Sequence, residues 1–177
     1  MNIENVTVWQ HGCVNTDTGM DFSDLCFECD VILLGPGGGG PYPDCIKGLE
    51  NHEYWKNHIN KLKSRLEYIR VFYEDMNIED IVVLRRGRTD VLGVGIIVGG
   101  YQWHEMFGNV DGWDLQHYRR VRWLWTWIAD GNVKVFPPNT LAGEVSAELH
   151  SPLVRDWLNR LTITDAQWKR PLADLHT

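Results

Sequence analysis

The sequence predicts an α+β domain in which a small, curved β-barrel is flanked by helices. Two apolar runs between Ile78 and Tyr101 are joined by a polar turn, which is typical of a hairpin. A third apolar run, from Arg119 to Trp125, predicts another strand. The stretch from about Leu49 to Tyr73 repeats apolar residues at three- and four-residue spacing and predicts a helix.

The central hairpin carries the signal for curvature. Its strands are rich in β-branched residues, and Gly87 suits the turn between them. The second run contains four glycines, which are expected where a strand bends tightly or another backbone approaches closely, as in a small barrel. These glycines are Gly93, Gly95, Gly99 and Gly100.

The elements before the hairpin are shorter. Val6 to His11 predicts a first strand, residues 13–25 a loop, and Phe27 to Leu34 a second strand buried on both faces. A glycine-rich stretch follows, in which Gly35, Gly37 and Gly40 formally match GxGxxG. Pro41 and Pro43 remove two amide donors from it, which favours a flexible loop over a phosphate-binding turn.

The elements after the hairpin complete one domain. Trp123, Trp125 and Trp127 alternate, so an extended segment would point all three to one face, which favours packing in the core over a place in a cage. Val133 to Phe136 predicts a short strand, and Ser151-Pro152 predicts the start of a last helix. We expect a single domain over residues 1–177, with its core in 6–161 and a tail, 162–177, that packs through Trp168 and then frays.

Composition bounds the class of protein. The chain has 177 residues, 44% hydrophobic and 23% charged, as in a globular domain. No apolar run is long enough to span a membrane and no signal peptide is recognisable, so we expect a cytoplasmic protein without a membrane partner. The net charge of −7 argues against binding nucleic acid through bulk electrostatics alone, although a local basic patch remains compatible with it.

Signals for a metal, a cofactor or catalysis are weak. Cys26 and Cys29 form a CxxC, but Cys13 and Cys45 are single, so buried free thiols are favoured over a zinc site. His104 and His117 bracket an aromatic loop and are expected to form hydrogen bonds rather than to act as bases. We therefore predict no metal, no cofactor and no enzymatic activity.

Arginines and aromatic residues point to a different chemistry. Arginines cluster at the hairpin turn and at the start of the third strand, close in sequence to a loop containing Trp103 and Trp113. Guanidinium groups bind phosphate, and aromatic faces stack on bases at roughly 1–3 kcal/mol each. A base withdrawn from a duplex needs such a slot. The arginines could equally form ion pairs with Asp80, Asp90 and Asp114.

Several segments resemble the EVE/YTH branch of the PUA-like superfamily, and especially the EVE-like specificity domains of modification-dependent (McrB-type) restriction systems. The motifs that carry the resemblance are Asp80-Ile-Val-Val-Leu-Arg-Arg-Gly, Leu92-Gly-Val-Gly-Ile-Ile-Val-Gly-Gly-Tyr and Gly112-Trp-Asp-Leu-Gln-His-Tyr-Arg-Arg-Val-Arg-Trp-Leu. The strand Val8-Trp-Gln-His and the helix Ser151-Pro-Leu-Val-Arg-Asp-Trp-Leu fit the same layout.

The resemblance implies a non-catalytic reader that flips a modified base of DNA or RNA into an aromatic cage. We expect the nucleic acid to be DNA, and the domain to target a restriction or defence nuclease. A nuclease or NTPase partner would be fused or separate. The implied base-binding residues are Trp9, Gln10, His11, Trp103, Trp113 and Asp114, and the implied phosphate-binding residues are Arg85, Arg86, Arg88, Arg119 and Arg120. Two alternatives remain: a PUA-like protein-interaction module, and a nucleotide-binding α/β enzyme that uses the Gly35–Gly40 loop.

Overall fold

A computed structural model describes residues 1–15, 17–141 and 143–175. Within them, one mixed sheet curls into a half-barrel flanked by helices. The predicted α+β class and the predicted curved sheet with flanking helices are therefore confirmed. The strands are β1 (Val8–Gly12), β2 (Val31–Leu34), β3 (Ile81–Arg86), β4 (Asp90–Ile97), β5 (Gln102–Trp103), β6 (His117–Thr126), β7 (Lys134–Val135) and β8 (Ser146–Glu148). Their order is β2-β6-β4-β3-β1-β8, with β5 paired to β6 and β7 paired to β4. Only β1 and β3 pair in parallel among these described strands.

The predicted hairpin is confirmed, and its glycines allow close approach. Strands β3 and β4 pair antiparallel across the turn at Gly87. A Cβ on Gly95 would lie 2.3 Å from Val121 Cγ1, and one on Gly93 would lie 2.7 Å from the ring of Phe27. Larger residues at these two positions would force β4 away from its neighbours, so the sheet can curl tightly only with glycine there.

A bulge in β6 overturns the prediction that three tryptophans share one face. Val94 pairs with Trp125 and Gly95 pairs with Trp123, so Leu124 is the extra residue. A bulge shifts the alternation of side chains by one position. Trp123 therefore joins the larger hydrophobic core, and Trp125 packs against the smaller core on the opposite side. Trp127 is the first residue of the short helix α5 (Trp127–Asp130).

The described helices are α1 (Ser23–Cys29), α2 (Cys45–Asn51), α3 (Glu53–Lys56), α4 (Ile59–Arg70), α5 (Trp127–Asp130), α6 (Pro152–Arg160) and α7 (Asp165–Lys169). A π-helical turn, Val71–Asp75, continues α4. The helix predicted after Ser151-Pro152 is therefore confirmed, and the strand predicted at Val133 to Phe136 is the shorter β7.

Two predicted elements are corrected. The strand expected from Phe27 begins only at Val31, because α1 occupies the preceding residues and Asp30 ends it in the left-handed conformation, with φ 53°. The single helix expected at 49–73 is broken at His52, whose extended backbone (ψ 131°) lets its ring accept a hydrogen bond from Tyr54 N. In both cases a polar residue that stabilises a helix end interrupts a continuous apolar pattern.

The tail docks onto the sheet instead of fraying after Trp168. The buried carboxylate of Asp30 accepts hydrogen bonds from Arg170 and from the amide of Ala173, the latter at 2.8 Å. Gln167 Nε2 donates to the carbonyl of Leu124 at 2.6 Å. The last two residues of the predicted tail, 176 and 177, lie outside the described residues. None of the described helices has the length and apolarity needed to cross a membrane.

Candidate functional site

A large cavity lies beside the carboxyl end of β2, where the glycine-rich loop begins. Its volume is about 910 Å³. The residues that line it come from the loop at 35–39, from helices α2 to α4, from residues 12–15 and 17–22, and from residues 112–115. Pockets for drug-sized ligands span roughly 300–1,000 Å³, so this cavity has room for more than a single base.

The glycine loop is fixed to the aromatic loop at one wall of this cavity. Gly37 N donates to the carbonyl of Asp114 at 3.0 Å, and Gly38 N donates to Asp114 Oδ2 at 3.0 Å. A Cβ on Gly37 would lie 2.3 Å from Gln116 Oε1, and one on Gly35 would lie 2.4 Å from the carbonyl of Asp114. The loop is therefore tightly packed, contrary to the expectation that it is flexible.

The same contacts bear on the alternative of a phosphate-binding loop. The amides of Gly37 and Gly38 already donate to Asp114, and Gly39 packs against Cys45, where α2 begins. A phosphate at a glycine turn must be received by such amides. Here they donate to the protein itself, which leaves a phosphate without its usual donors.

A buried hydrogen-bond chain holds both ends of the glycine loop. His117 Nε2 lies 2.9 Å from the carbonyl of Pro36, and since a carbonyl only accepts, this nitrogen carries the proton. His117 Nδ1 then accepts from the Tyr101 hydroxyl at 2.7 Å, and that hydroxyl accepts from Tyr42 N at 2.8 Å. Burial lowers the pKa of His117 to about 4, so the ring is neutral near pH 7 and the chain stays intact.

The aromatic lining comes from four separate segments. Trp113 and Asp114, two of the predicted base-binding residues, both line the cavity. So does Trp55, whose ring makes an edge-on contact with Tyr54 at 4.9 Å between centroids. Phe22, Tyr54 and Tyr68 complete the aromatic surface. Trp55 and Trp113 are both partly exposed, as a stacking surface requires.

Trp103 lies behind the glycine loop and is not part of the described lining. Its indole N–H donates to the carbonyl of Gly37 at 2.8 Å, so it supports the loop from the far side. The pair Trp103 and Trp113 suggested by the resemblance is therefore not brought together at this cavity. Trp55 is the second indole found there.

The predicted base-binding residues of β1 are buried in the sheet. Trp9 Nε1 donates to Asp80 at 2.8 Å, and Gln10 is 1% exposed. His11 Nε2 donates to the carbonyl of Leu33 at 2.8 Å, while its Nδ1 lies 2.7 Å from Ser146 Oγ. Burial lowers the pKa of His11 to about 4. These three side chains lie outside the described lining, so the structure does not bring them to the cavity.

The predicted arginine stripe is also dispersed. Arg85 and Arg119 are buried and donate to backbone carbonyls, including those of Glu144 and Phe72. Arg120 donates to the carbonyl of Ala173 in the tail. These hydrogen bonds stabilise the neighbouring backbone segments. Because Arg85 and Arg119 are buried, they do not lie on a surface that a phosphate could reach.

The two remaining arginines of the set are exposed. Arg86 lies 3.2 Å from Asp90 and 3.7 Å from Asp21, so it forms ion pairs, as the alternative interpretation proposed. Arg88 has no ion-pair partner among the described residues. Neither lines the cavity as described.

The four cysteines are free thiols in the structure. Burial raises the pKa of Cys13 and Cys26 well above the usual value, and it raises the pKa of Cys45 to about 11. A protonated, buried thiol is a poor nucleophile and a poor metal ligand. In the described part of the chain, no group of three or more His, Cys, Asp or Glu side chains is arranged to hold a metal ion.

From the sequence, Lys56, Lys61, Lys63 and Arg65 of the helical segment form either a solvated face or part of a phosphate-contacting surface, and the sequence did not place Trp55 or Tyr68 at a site. Lys61, Ser64, Arg65 and Tyr68 follow one another on α4 at spacings of three, one and three residues, and all four line the cavity. Trp55 on α3 lines it as well. The spacing indicated a helix with a basic face, but it carried no information about what lies opposite that face.

The half-barrel and its aromatic cavity define a small α+β domain with a candidate site beside the sheet. The chain belongs to the family described as Domain of unknown function (DUF8426), whose model matches residues 9–140. The match includes the cavity-lining helices, the glycine loop and the aromatic loop. Helices α6 and α7 lie beyond it. A comparison with curated proteins finds no match.

Proposed function

We propose that this protein is a non-catalytic reader of modified bases in nucleic acid, in DNA rather than RNA. The observation that carries the proposal is the cavity of about 910 Å³ lined by both Trp113 and Trp55. An extruded base would stack on these indoles, and stacking on an aromatic side chain contributes roughly 1–3 kcal/mol per base. The resemblance to EVE/YTH-type PUA-like domains supports the same conclusion, since a curved barrel flanked by helices is the fold it implies.

Asp114 is the group that would select the base. Gly38 N orients its carboxylate by donating to Oδ2, and no described residue donates to Oδ1. An ionised carboxylate only accepts hydrogen bonds, so it favours a base edge that presents N–H donors, such as the amino group of cytosine or adenine. A buried methyl group adds about 0.8 kcal/mol, so the polar contact must supply much of the selectivity.

The two buried histidines, His11 and His117, are poorly suited to general acid-base catalysis. Both ring nitrogens of His11 and of His117 have hydrogen-bond partners, and the pKa of each ring is lowered to about 4. General acid-base catalysis works best with a pKa near the operating pH and a nitrogen that can reach the substrate. As the resemblance to EVE-like specificity domains implies, the domain would act as the targeting module of a restriction or defence nuclease, fused or separate.

The test is quenching of tryptophan fluorescence by short oligonucleotides at ~50 mM salt. Duplexes would carry cytosine, 5-methylcytosine, 5-hydroxymethylcytosine or N6-methyladenine at one position, with RNA counterparts. We expect one modified DNA to quench the wild type, and Trp113→Ala and Trp55→Ala each to weaken binding about tenfold or more. Trp168→Ala is the matched control, because Trp168 is exposed on α7 and does not line the cavity.

Two results would contradict the proposal. Equal binding by wild type and both cavity variants would place the nucleic acid elsewhere on the surface. The absence of any response to modified DNA or RNA would leave the protein-interaction module as the better hypothesis.

A further inference from the structure

One face of α4 supplies the cavity with positive charge. Lys61, Arg65 and Tyr68 are spaced at four and three residues, so their side chains lie on the same side of the helix, and Ser64 lies next to them. All four line the cavity. Trp113 and Asp114 also line the cavity and supply an aromatic surface and a carboxylate in place of positive charge.

The two cations on this face differ in their partners. Lys61 Nζ lies 2.8 Å from Asp17 Oδ2, and this hydrogen-bonded pair raises the pKa of Lys61 and lowers that of Asp17. Arg65 has no carboxylate within ion-pair distance among the described residues. Its guanidinium lies over the ring of Tyr68, 5.9 Å from the centroid. This contact with the ring engages no oxygen acceptor, so the N–H donors of Arg65 remain available for a bidentate anion.

The charges of the cavity therefore suit a ligand with two different ends. Asp17 forms an ion pair with Lys61 and interacts with Arg65 only at longer range, so the Arg65 cation on α4 and the Asp114 carboxylate beside the glycine loop have no ion pair among the described residues. A nucleotide has matching polarity, with N–H donors on the base and an anionic phosphate. The volume of about 910 Å³ also exceeds what one base requires.

We propose that the cavity takes a whole nucleotide, with the base against Trp113 and Asp114 and a flanking phosphate bound by Arg65. This inference rests on the proposed function. It assigns phosphate binding to Arg65 on α4, in place of Arg85 and Arg119, which are buried. Phosphate also competes with Asp17 for Lys61, so Lys61 joins the contact when its ion pair opens.

The experiment compares two versions of the best-bound modified oligonucleotide. One is unaltered, and the other carries neutral methylphosphonates on both sides of the modified nucleotide. Both are titrated with the wild type and Arg65→Gln, and Lys63→Gln serves as the control because Lys63 is an exposed cation on the same helix that does not line the cavity. Each titration is repeated at several salt concentrations.

We expect Arg65→Gln to weaken binding of the unaltered oligonucleotide roughly tenfold at low salt, since a charged hydrogen bond is lost. The slope of log K against log salt should fall by about 1. Methylphosphonates should weaken binding by the wild type more than binding by Arg65→Gln, in which only Lys61 remains to contact the phosphate, and Lys63→Gln should behave like the wild type.

Equal affinities and salt slopes for the wild type and Arg65→Gln would overturn the inference while leaving base recognition in place. If the wild type binds no nucleic acid at all, the proposed function and this inference both fail. Loss of the methylphosphonate effect in Lys63→Gln would also overturn it, because the phosphate would then lie outside the cavity.

Discussion

The amide of Gly38 donates to Asp114 Oδ2 at 3.0 Å and joins two loops that are 76 residues apart in the chain. This contact holds the carboxylate at the cavity wall and leaves its second oxygen without a described donor. The candidate site depends on this junction, because the glycine loop and the aromatic loop each contribute only one side of it.

Asp114→Asn separates the structural role of this contact from the proposed recognition role. Asparagine can still accept from Gly38 N through its carbonyl oxygen, so the melting temperature should change by no more than ~2 °C. Its amide group presents donors where the base presents donors, so binding of the modified oligonucleotide should fall about tenfold or more. Asp114→Ala should lose both stability and binding. An Asn variant that binds normally would show that Asp114 does not read the base.

Gly37→Ala tests the packing of the glycine loop. The added Cβ would lie 2.3 Å from Gln116 Oε1 and 2.8 Å from Gln116 N, so the loop must move. Overpacking of this kind costs about 1–3 kcal/mol of unfolding free energy, measurable by urea denaturation. Gly100→Ala is the matched control, because nothing lies within 4 Å of its Cβ position and its φ is not in the left-handed region. Equal stability of the two variants would contradict the tight junction.

Acid should destabilise the fold through His11 and His117. The pKa of each is lowered by burial to about 4, below the value of about 6.5 in an unfolded chain. The unfolded state therefore binds protons first, and stability present above pH 6.5 is lost as the pH falls toward 4. At about 1.4 kcal/mol per pKa unit, protonation of each ring should lower the free energy of unfolding by up to roughly 3 kcal/mol.

The measurement is urea denaturation from pH 7 to pH 4.5. His117→Gln should be less stable than the wild type at pH 7 and should show a shallower loss of stability on acidification. His150→Gln should match the wild type, since that ring is exposed. A wild-type stability that does not change over this range would show that neither histidine is held neutral by the fold.

Arg170→Gln tests the docking of the tail. Asp30 is fully buried, and its carboxylate is shared between Arg170 and the amide of Ala173. Removing the cation leaves a buried charge with one partner, and because Arg170 is partly exposed we expect a loss of about 1–2 kcal/mol in urea denaturation. Lys169→Gln alters only an exposed pair with Asp165 and should have no measurable effect.

Local patterns predicted the sheet better than they predicted the site. The hairpin, its glycines and the helix after Ser151-Pro152 follow from periodicity and turn chemistry, which act over a few residues. The bulge at Leu124 arises from the pairing of β6 with β4, so the residue spacing within β6 alone does not predict it. The burial of Arg119 could not be predicted from local patterns either, because its hydrogen-bond partners lie 20 to 47 residues away in the chain.

Only some residues of the candidate site could be predicted, because the others reach the cavity through contacts between segments that are distant in the sequence. Trp113 and Asp114 line the cavity, whereas Trp103 supports the glycine loop from behind. Both tryptophans had the same sequence signal, an aromatic residue in a polar loop. Which of them reaches the cavity depends on tertiary packing of the loop, and so does the inclusion of Trp55 and Arg65 from the helices.

The most direct test of base extrusion uses a duplex with 2-aminopurine next to the modified base. This fluorophore brightens when its neighbour leaves the stack. We expect brightening with wild-type protein at saturating concentration, little brightening with Trp113→Ala or Trp55→Ala, and wild-type behaviour from Trp168→Ala. Saturating binding of the modified duplex without any brightening would contradict the account, because the base would then remain in the helix.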